Sequence, residues 1–239
     1  LRTSGFAGFP PEAMKFLAAL AKNNRREWFQ PRKELYETTV RRPMLELVSR
    51  INGALLEFAP DYICEPEKAV FRIYRDTRFS PDKTPYKTHI AAVFHRRGLN
   101  RHEGAAYYFS VSPNEVSVGG GAYMPSPEVL LAIRSHIAVC HGEFAKLVSD
   151  RTVRKYLEDL KGESLSRAPK GFNPSHPAAD YIRMKQWFFY TTLHPRLAVT
   201  SRLLPEIVKR FRLLTPFIEF MNRPFAGRRK VLLEELEFA

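Results

Sequence analysis

The chain has 239 residues, of which 44% are hydrophobic and 13% aromatic, a composition that excludes a disordered polymer and suits one large domain or two small ones. Its longest apolar runs fall well short of the roughly 18 residues that cross a bilayer, so no membrane span is expected. A formal net charge of +13 points toward anionic partners, and Cys64 and Cys140, without CxxC spacing, fit buried thiols of a reducing compartment. No basic, apolar, small-residue leader follows Leu1, and the expected location is the cytoplasm.

Pro10 and Pro11 open a helix through "EAMKFLAAL", in which Phe16, Leu17 and Leu20 recur at helical spacing and Asn23 and Asn24 mark the end. A second helical region runs from about Arg25 to Phe58, interrupted near Pro31 and Pro43, with Leu35, Val40, Met44, Leu47, Val48, Ile51 and Leu55 as its apolar stripe. "APDYICEPEK" reads as a loop. From Val70 the period changes to two, which predicts strands at about 70–76, 87–95, 105–112 and 115–121, and a fifth at about 186–193. Short connections make the first four antiparallel neighbours. Ser126 and Pro127 then start a helix through Val139, followed by helices at about 142–149, 151–159, 178–184, 200–222 and 227–236. Helices, a strand meander, then helices again define an α+β fold, taken as a single domain with a mainly antiparallel sheet of about five strands.

Two segments carry the charge excess. Residues 66–101 hold nine Lys/Arg against three Asp/Glu, and residues 196–230 hold nine against two. In the second, the basic residues are spaced among Leu203, Leu204, Ile207, Val208 and Phe211 as the solvated face of an amphipathic helix would be. The first contains "FRIYRDTRFSPDKTPYKTH", residues 71–89. Alternation sets Phe71 and Ile73 against Arg72, Tyr74, Asp76 and Arg78, and sets Ile90, Ala92 and Phe94 against Lys87 and His89. If the apolar sets face the core, Arg72, Tyr74, Lys87 and His89 gather on the other surface with Tyr108, Ser110 and Ser117, forming a cationic, aromatic-lined floor. The connection uses Ser80, Pro81 and Asp82 as turn formers, and Pro85 fixes the start of the next strand.

Arg72, Arg75, Arg78, Lys83 and Lys87, with Tyr74 and Tyr108, are therefore the candidate ligand-binding residues, because guanidinium forks suit phosphate or carboxylate oxygens. Asp76 and His89 are the nearest candidates for a general acid or base. The competing reading is that Asp76 and Asp82 pair with these cations and, with Pro85, merely hold the hairpin in shape. Spacing alone leaves the two open.

This stretch, with "NNRREWF" upstream and "RAPKGF" downstream, resembles an uncharacterised bacterial and fungal family, domain of unknown function 2461, from Phe9 to at least Phe189. Arg72, Arg75, Asp76, Arg78, Asp82, Lys83, Pro85, Tyr86 and Lys87 match its main signature, and Arg167, Lys170 and Gly171 a weaker second one. The resemblance implies one domain and supplies no activity, substrate or catalytic residue.

Other motifs carry less. "VGGGAYMPSPE" can present backbone N–H groups to an anion, but it lacks a GK[ST] ending and dinucleotide-fingerprint spacing, and such glycines more often serve close packing. Arg134, on the edge of the stripe Leu130, Ile133 and Ile137, can reach the sheet or snorkel to solvent. The histidines show neither HxxxH nor HExxH spacing, so neither a metal site nor a cofactor is expected. Trp28, Phe29, Trp187 and Phe188 read as core. Two functions follow: a site that binds or acts on a phosphate-bearing or otherwise anionic small molecule, or a nucleic-acid or protein-interaction module that uses the same surface without chemistry. A pocket with converging side chains favours the first, and an open basic stripe with exposed aromatics the second.

Overall fold

Proline decides where the first helices begin and bend. Pro11 opens α1 (Pro11–Lys22), which buries Ala13, Phe16, Leu17 and Leu20 and stops at Asn23, whose side-chain amide donates to the Ala19 carbonyl at 3.0 Å. The path from Arg26 to Phe58 stays helical but changes pitch at each proline. A 3-10 turn, Gln30–Arg32, holds Pro31, and a π turn, Glu37–Arg41, precedes Pro43 at the start of α2 (Arg42–Phe58). Pro43 has no N–H to donate, and the wider turn ahead of it accommodates the missing bond. In this computed structural model, which describes residues 5–100 and 102–226, the expected loop after α2 contains two short helical turns, Pro60–Tyr62 and Pro66–Ala69; the helix expected at about 227–236 lies outside the described residues.

The fold is α+β, with one antiparallel sheet of four strands, β1 (Ile90–His95), β2 (Ala106–Val111), β3 (Val116–Ala122) and β4 (Trp187–Leu193), in the order β1-β2-β3-β4. Of the five strands expected, the first, at 70–76, is not one, and the fifth, at 186–193, is β4. The segment at 70–76 makes only two isolated bridges, Val70 with Ala92 and Tyr74 with Tyr86. The reason is a slip in register. The Phe71 N–H donates to the Ala91 carbonyl at 2.9 Å and the Lys87 N–H to the Ile73 carbonyl at 2.8 Å, so Phe71–Ile73 lies opposite the longer run Lys87–Ala91. The surplus residues bulge out at Thr88 and His89, and no continuous ladder forms. β1 accordingly starts at Ile90 instead of near Lys87.

Between β3 and β4 come α3 (Pro127–Val139), whose Ser126 hydroxyl caps the Val129 N–H at 3.4 Å, then α4 (His141–Val148), α5 (Arg151–Leu157) and a short turn at Ala179–Ile182, and after β4 comes the long α6 (Leu203–Asn222).

The described chain divides into two compact units, one of residues 5–94, 108–118 and 192–209 and the other of 95–107, 119–191 and 210–226. In the first, Phe94 stacks on Phe109 with ring centroids 6.3 Å apart, and Gly8, at φ +105, lets the chain run close enough for the Phe9 N–H to reach the Ala198 carbonyl at 2.8 Å. In the second, the Tyr107 ring packs 4.8 Å from Phe211 while its hydroxyl meets Thr215 Oγ1 at 2.9 Å, and Phe189 packs edge-on to Phe217. Gly120 belongs to this packing: a Cβ there would come within 2.8 Å of Ile218 Cδ1 and 2.9 Å of the Ala106 carbonyl. The glycines of β3 thus admit neighbours that a side chain would push away. Arg134 is buried and donates to the Met184 carbonyl at 2.9 Å, reaching neither the sheet nor open solvent.

Candidate functional site

The hairpin is anchored from beneath by residues far upstream. The Asn24 side chain pairs in both directions with the Tyr86 backbone, donating to its carbonyl at 2.8 Å and accepting its N–H at 3.0 Å, as a neighbouring strand would. Phe29 then stacks on the Tyr86 ring at 4.2 Å and also contacts Phe16, Tyr36 and Tyr74. "NNRREWF" and "TPYKTH" are therefore one physical object, an aromatic cluster closed by an asparagine. The same carboxamide device recurs at Asn52 with the Cys64 backbone and at Asn222 with Ala105.

Above this base the charges divide by role. Arg75 donates to Asp82 and to the Thr84 hydroxyl and carbonyl, and approaches Ser80, so its guanidinium ties the two arms of the loop together. Asp82 also accepts the Thr84 N–H at 2.9 Å and its hydroxyl at 3.0 Å. Lys83 Nζ donates to the Thr77 carbonyl and Lys87 Nζ to the Arg72 carbonyl, both at 2.9 Å. Pro85, which has no N–H, accepts the Arg75 N–H at 2.9 Å through its carbonyl. Asp76 grips Arg78 with both oxygens, taking Nε at 3.1 Å and a terminal nitrogen at 2.8 Å, and also accepts the Arg78 N–H at 3.2 Å. That leaves the outer edge of the Arg78 guanidinium toward solvent, with its side chain 77% exposed. Arg72 is exposed as well, and beyond Arg78 the Phe79 ring is 92% exposed.

The expected floor is only partly assembled. Phe71 does not face the core with Ile90 and Phe94; its ring lies 6.5 Å from Tyr108 and 5.0 Å from Lys87 Nζ, on the opposite surface. The Val70–Ala92 bridge sets this register, and a one-residue difference reverses every side chain. Tyr74 leaves that floor for the aromatic cluster, 5.4 Å from Tyr86, with 41% of it still exposed. What converges is Phe71, Lys87, His89 and Tyr108, joined by Glu115 and the buried Ser117, whose hydroxyl donates to Glu115 Oε1 at 2.8 Å.

Electrostatics follow this geometry. Hydrogen bonds from the Arg78 side chain and backbone hold Asp76 at about 2, with Arg72 adding its charge, and the Thr84 N–H together with Arg75 holds Asp82 at about 2. Both are carboxylates near neutrality, which suits positioning better than proton transfer. Burial, then the Lys87 charge, pushes His89 below its ordinary value, with Glu115 pulling the other way. His89 is thus a neutral imidazole aimed by a bulge, and it fits proton transfer better than Asp76 does. Among the described residues no cluster of His, Cys, Asp and Glu can hold a metal ion. A concavity of about 360 Å³ lies elsewhere, at α5, lined by Arg151, Arg154, Lys155, Glu158 and Asp159; Arg154 pairs there with Asp159 at 2.5 Å.

A family model described as a conserved hypothetical protein (DUF2461) matches residues 12–220. The chain belongs to this family. The matched span of this DUF2461 member includes the aromatic cluster, the hairpin, the floor and the exposed Arg167, Lys170 and Gly171, of which Gly171 takes φ +90 in a turn. No curated protein matches the chain. Sequence reasoning missed Asn24 as a strand substitute, Phe29 as the hub beneath the hairpin, and Glu115. The two asparagines ahead of a Trp-Phe pair carry the only sequence signal for the first two, and Glu115, in a tight turn between strands, carries none.

Proposed function

We propose that this DUF2461 member is a cytoplasmic protein that binds a phosphate-bearing or otherwise anionic ligand through the hairpin of residues 71–89. The observation that carries the reading is the division of labour among its cations. Arg75, Lys83 and Lys87 are engaged in holding the loop, while Asp76 fixes Arg78 so that its free edge, with Arg72, points away from the protein. The exposed Asp76–Arg78 ion pair by itself adds little to stability; Asp76 also accepts the Arg78 N–H, which shapes the loop, and the orientation it gives the guanidinium is better explained by what the guanidinium then meets. His89 is the residue for proton transfer should the bound molecule react, and the charges of Lys87 and Glu115 beside it support that role.

The test is calorimetric titration of tripolyphosphate, paired with melting temperatures. Arg78→Ala should weaken binding with little change in melting temperature, and Asp76→Asn should lower both. If Asp76→Asn leaves stability and affinity intact yet abolishes a turnover found by screening phosphorylated metabolites, Asp76 is catalytic and the positioning role is wrong.

A further inference from the structure

The geometry points to single-stranded nucleic acid as the anion that the hairpin receives, an inference that rests on the anion-binding reading above. Along residues 72–79 the exposed side chains are Arg72, Tyr74, Asp76, Arg78 and Phe79, with Phe79 at 92% and Tyr74 at 41%. Asp76 is committed to Arg78 through both oxygens, so what the segment offers a ligand is two cations and two aromatics, Arg72, Tyr74, Arg78 and Phe79. The Arg78 guanidinium carbon lies 5.7 Å from the Phe79 ring centroid, so the charge and the ring form one unit at the tip. Tyr74 is backed by Phe29 and Tyr86, which hold it upright and limit its rotation.

A small phosphate has little to gain here. Single exposed cations in water and salt attract one anion weakly. A polymer of phosphates releases a counterion at each cation it meets, so its affinity accumulates along the chain. The aromatics separate the polymers from one another. An unpaired base offers a π-face to Phe79 and Tyr74, whereas in a duplex those faces are stacked inside, and inorganic polyphosphate or an acidic peptide has none. Apart from the Arg78 guanidinium over its face, Phe79 stands exposed in the loop, away from the aromatic cluster beneath it.

Anisotropy of a labelled oligothymidylate of about fifteen nucleotides tests this, with the corresponding duplex, tripolyphosphate and poly-glutamate as competitors. The inference expects the oligothymidylate to bind and the duplex and poly-glutamate to compete poorly. Phe79→Ala should weaken the single strand about tenfold while leaving tripolyphosphate affinity unchanged. Arg78→Ala should weaken both ligands and flatten the salt dependence. Because Phe79 is almost wholly exposed, its replacement leaves the packing intact. If tripolyphosphate binds but Phe79→Ala leaves the single-strand affinity as it was, or the duplex or poly-glutamate competes equally, the nucleic-acid inference falls and anion binding stands. If neither tripolyphosphate nor oligothymidylate binds, both readings fall.

Discussion

The chain's two basic segments have nearly the same excess of positive charge and spend it differently. In the second segment Arg202, just ahead of α6, and Lys209 and Arg212 within it are exposed and recur at helical spacing, while Arg210, 5% exposed, lies against the Tyr156 ring and Arg223, just past the helix, pairs with Glu143 at 2.5 Å. The exposed cations of this segment follow the periodicity of the helix. In the hairpin Arg75, Lys83 and Lys87 bond to the loop's own carbonyls, hydroxyl and carboxylate, Asp76 fixes the direction of Arg78, and Arg72 is exposed beside it. Net charge alone does not distinguish the two. A helix spreads its charges around an axis, whereas an extended loop with carboxylates among the cations can aim them.

The largest expected effect is on the base of the hairpin. Phe29→Ala removes the ring that touches Phe16, Tyr36, Tyr74 and Tyr86, and should cost about 3–5 kcal/mol in chemical denaturation. Asn24→Ala leaves the Tyr86 N–H and carbonyl without partners and should cost about 1–3 kcal/mol, with faster amide exchange at Tyr86. If either variant is as stable as the parent, the hairpin is not held from beneath and the contrast with α6 weakens.

Smaller effects come from protons. Asp76 and Asp82 are held at about 2, below their ordinary range, so their contribution to stability is present above about pH 4 and is lost as pH falls through about 2. Denaturation between pH 5 and 2 should therefore be flatter for Asp82→Asn than for the parent. His89 is also depressed. Its neutral form is favoured in the fold, so stability is lost as pH falls below the unfolded value of about 6.5, and its ring resonances should titrate below that value. A ring that titrates above about 6.5 would mean that Glu115 outweighs burial and Lys87. The smallest effect belongs to the start of α6: Arg202→Ala, just ahead of the helix, whose partner Glu206 is 3.9 Å away and whose side chain is 79% exposed, should leave stability within about 0.5 kcal/mol of the parent.

Much of the fold is legible in the sequence because β2, β3, β4 and the long helices have clean periods and proline or serine boundaries. The segment at 70–76 also alternates in sequence, yet it is not a strand, because a bulge at Thr88 and His89, opposite it in the pairing, breaks the ladder and no local pattern encodes that slip. The Val70–Ala92 pairing, which puts Phe71 on the Tyr108 surface, is likewise invisible in the local sequence, as is the packing of Tyr74 on Phe29. Residue types in the hairpin announced pairing with anions in general. Which cations would hold the loop and which would face outward depended on distances between Arg75, Asp82 and Thr84 that spacing alone leaves undetermined.

The most direct measurement is tripolyphosphate affinity in two double variants of the whole chain, Arg72→Ala with Arg78→Ala in the hairpin and Arg202→Ala with Arg212→Ala at the start of α6 and within it, each removing two exposed arginines and the same net charge. Binding should fall by about tenfold or more in the hairpin variant and stay within about twofold of the parent in the helix variant, as directed rather than summed charge requires. Equal losses in the two, or a greater loss in the helix variant, would contradict it.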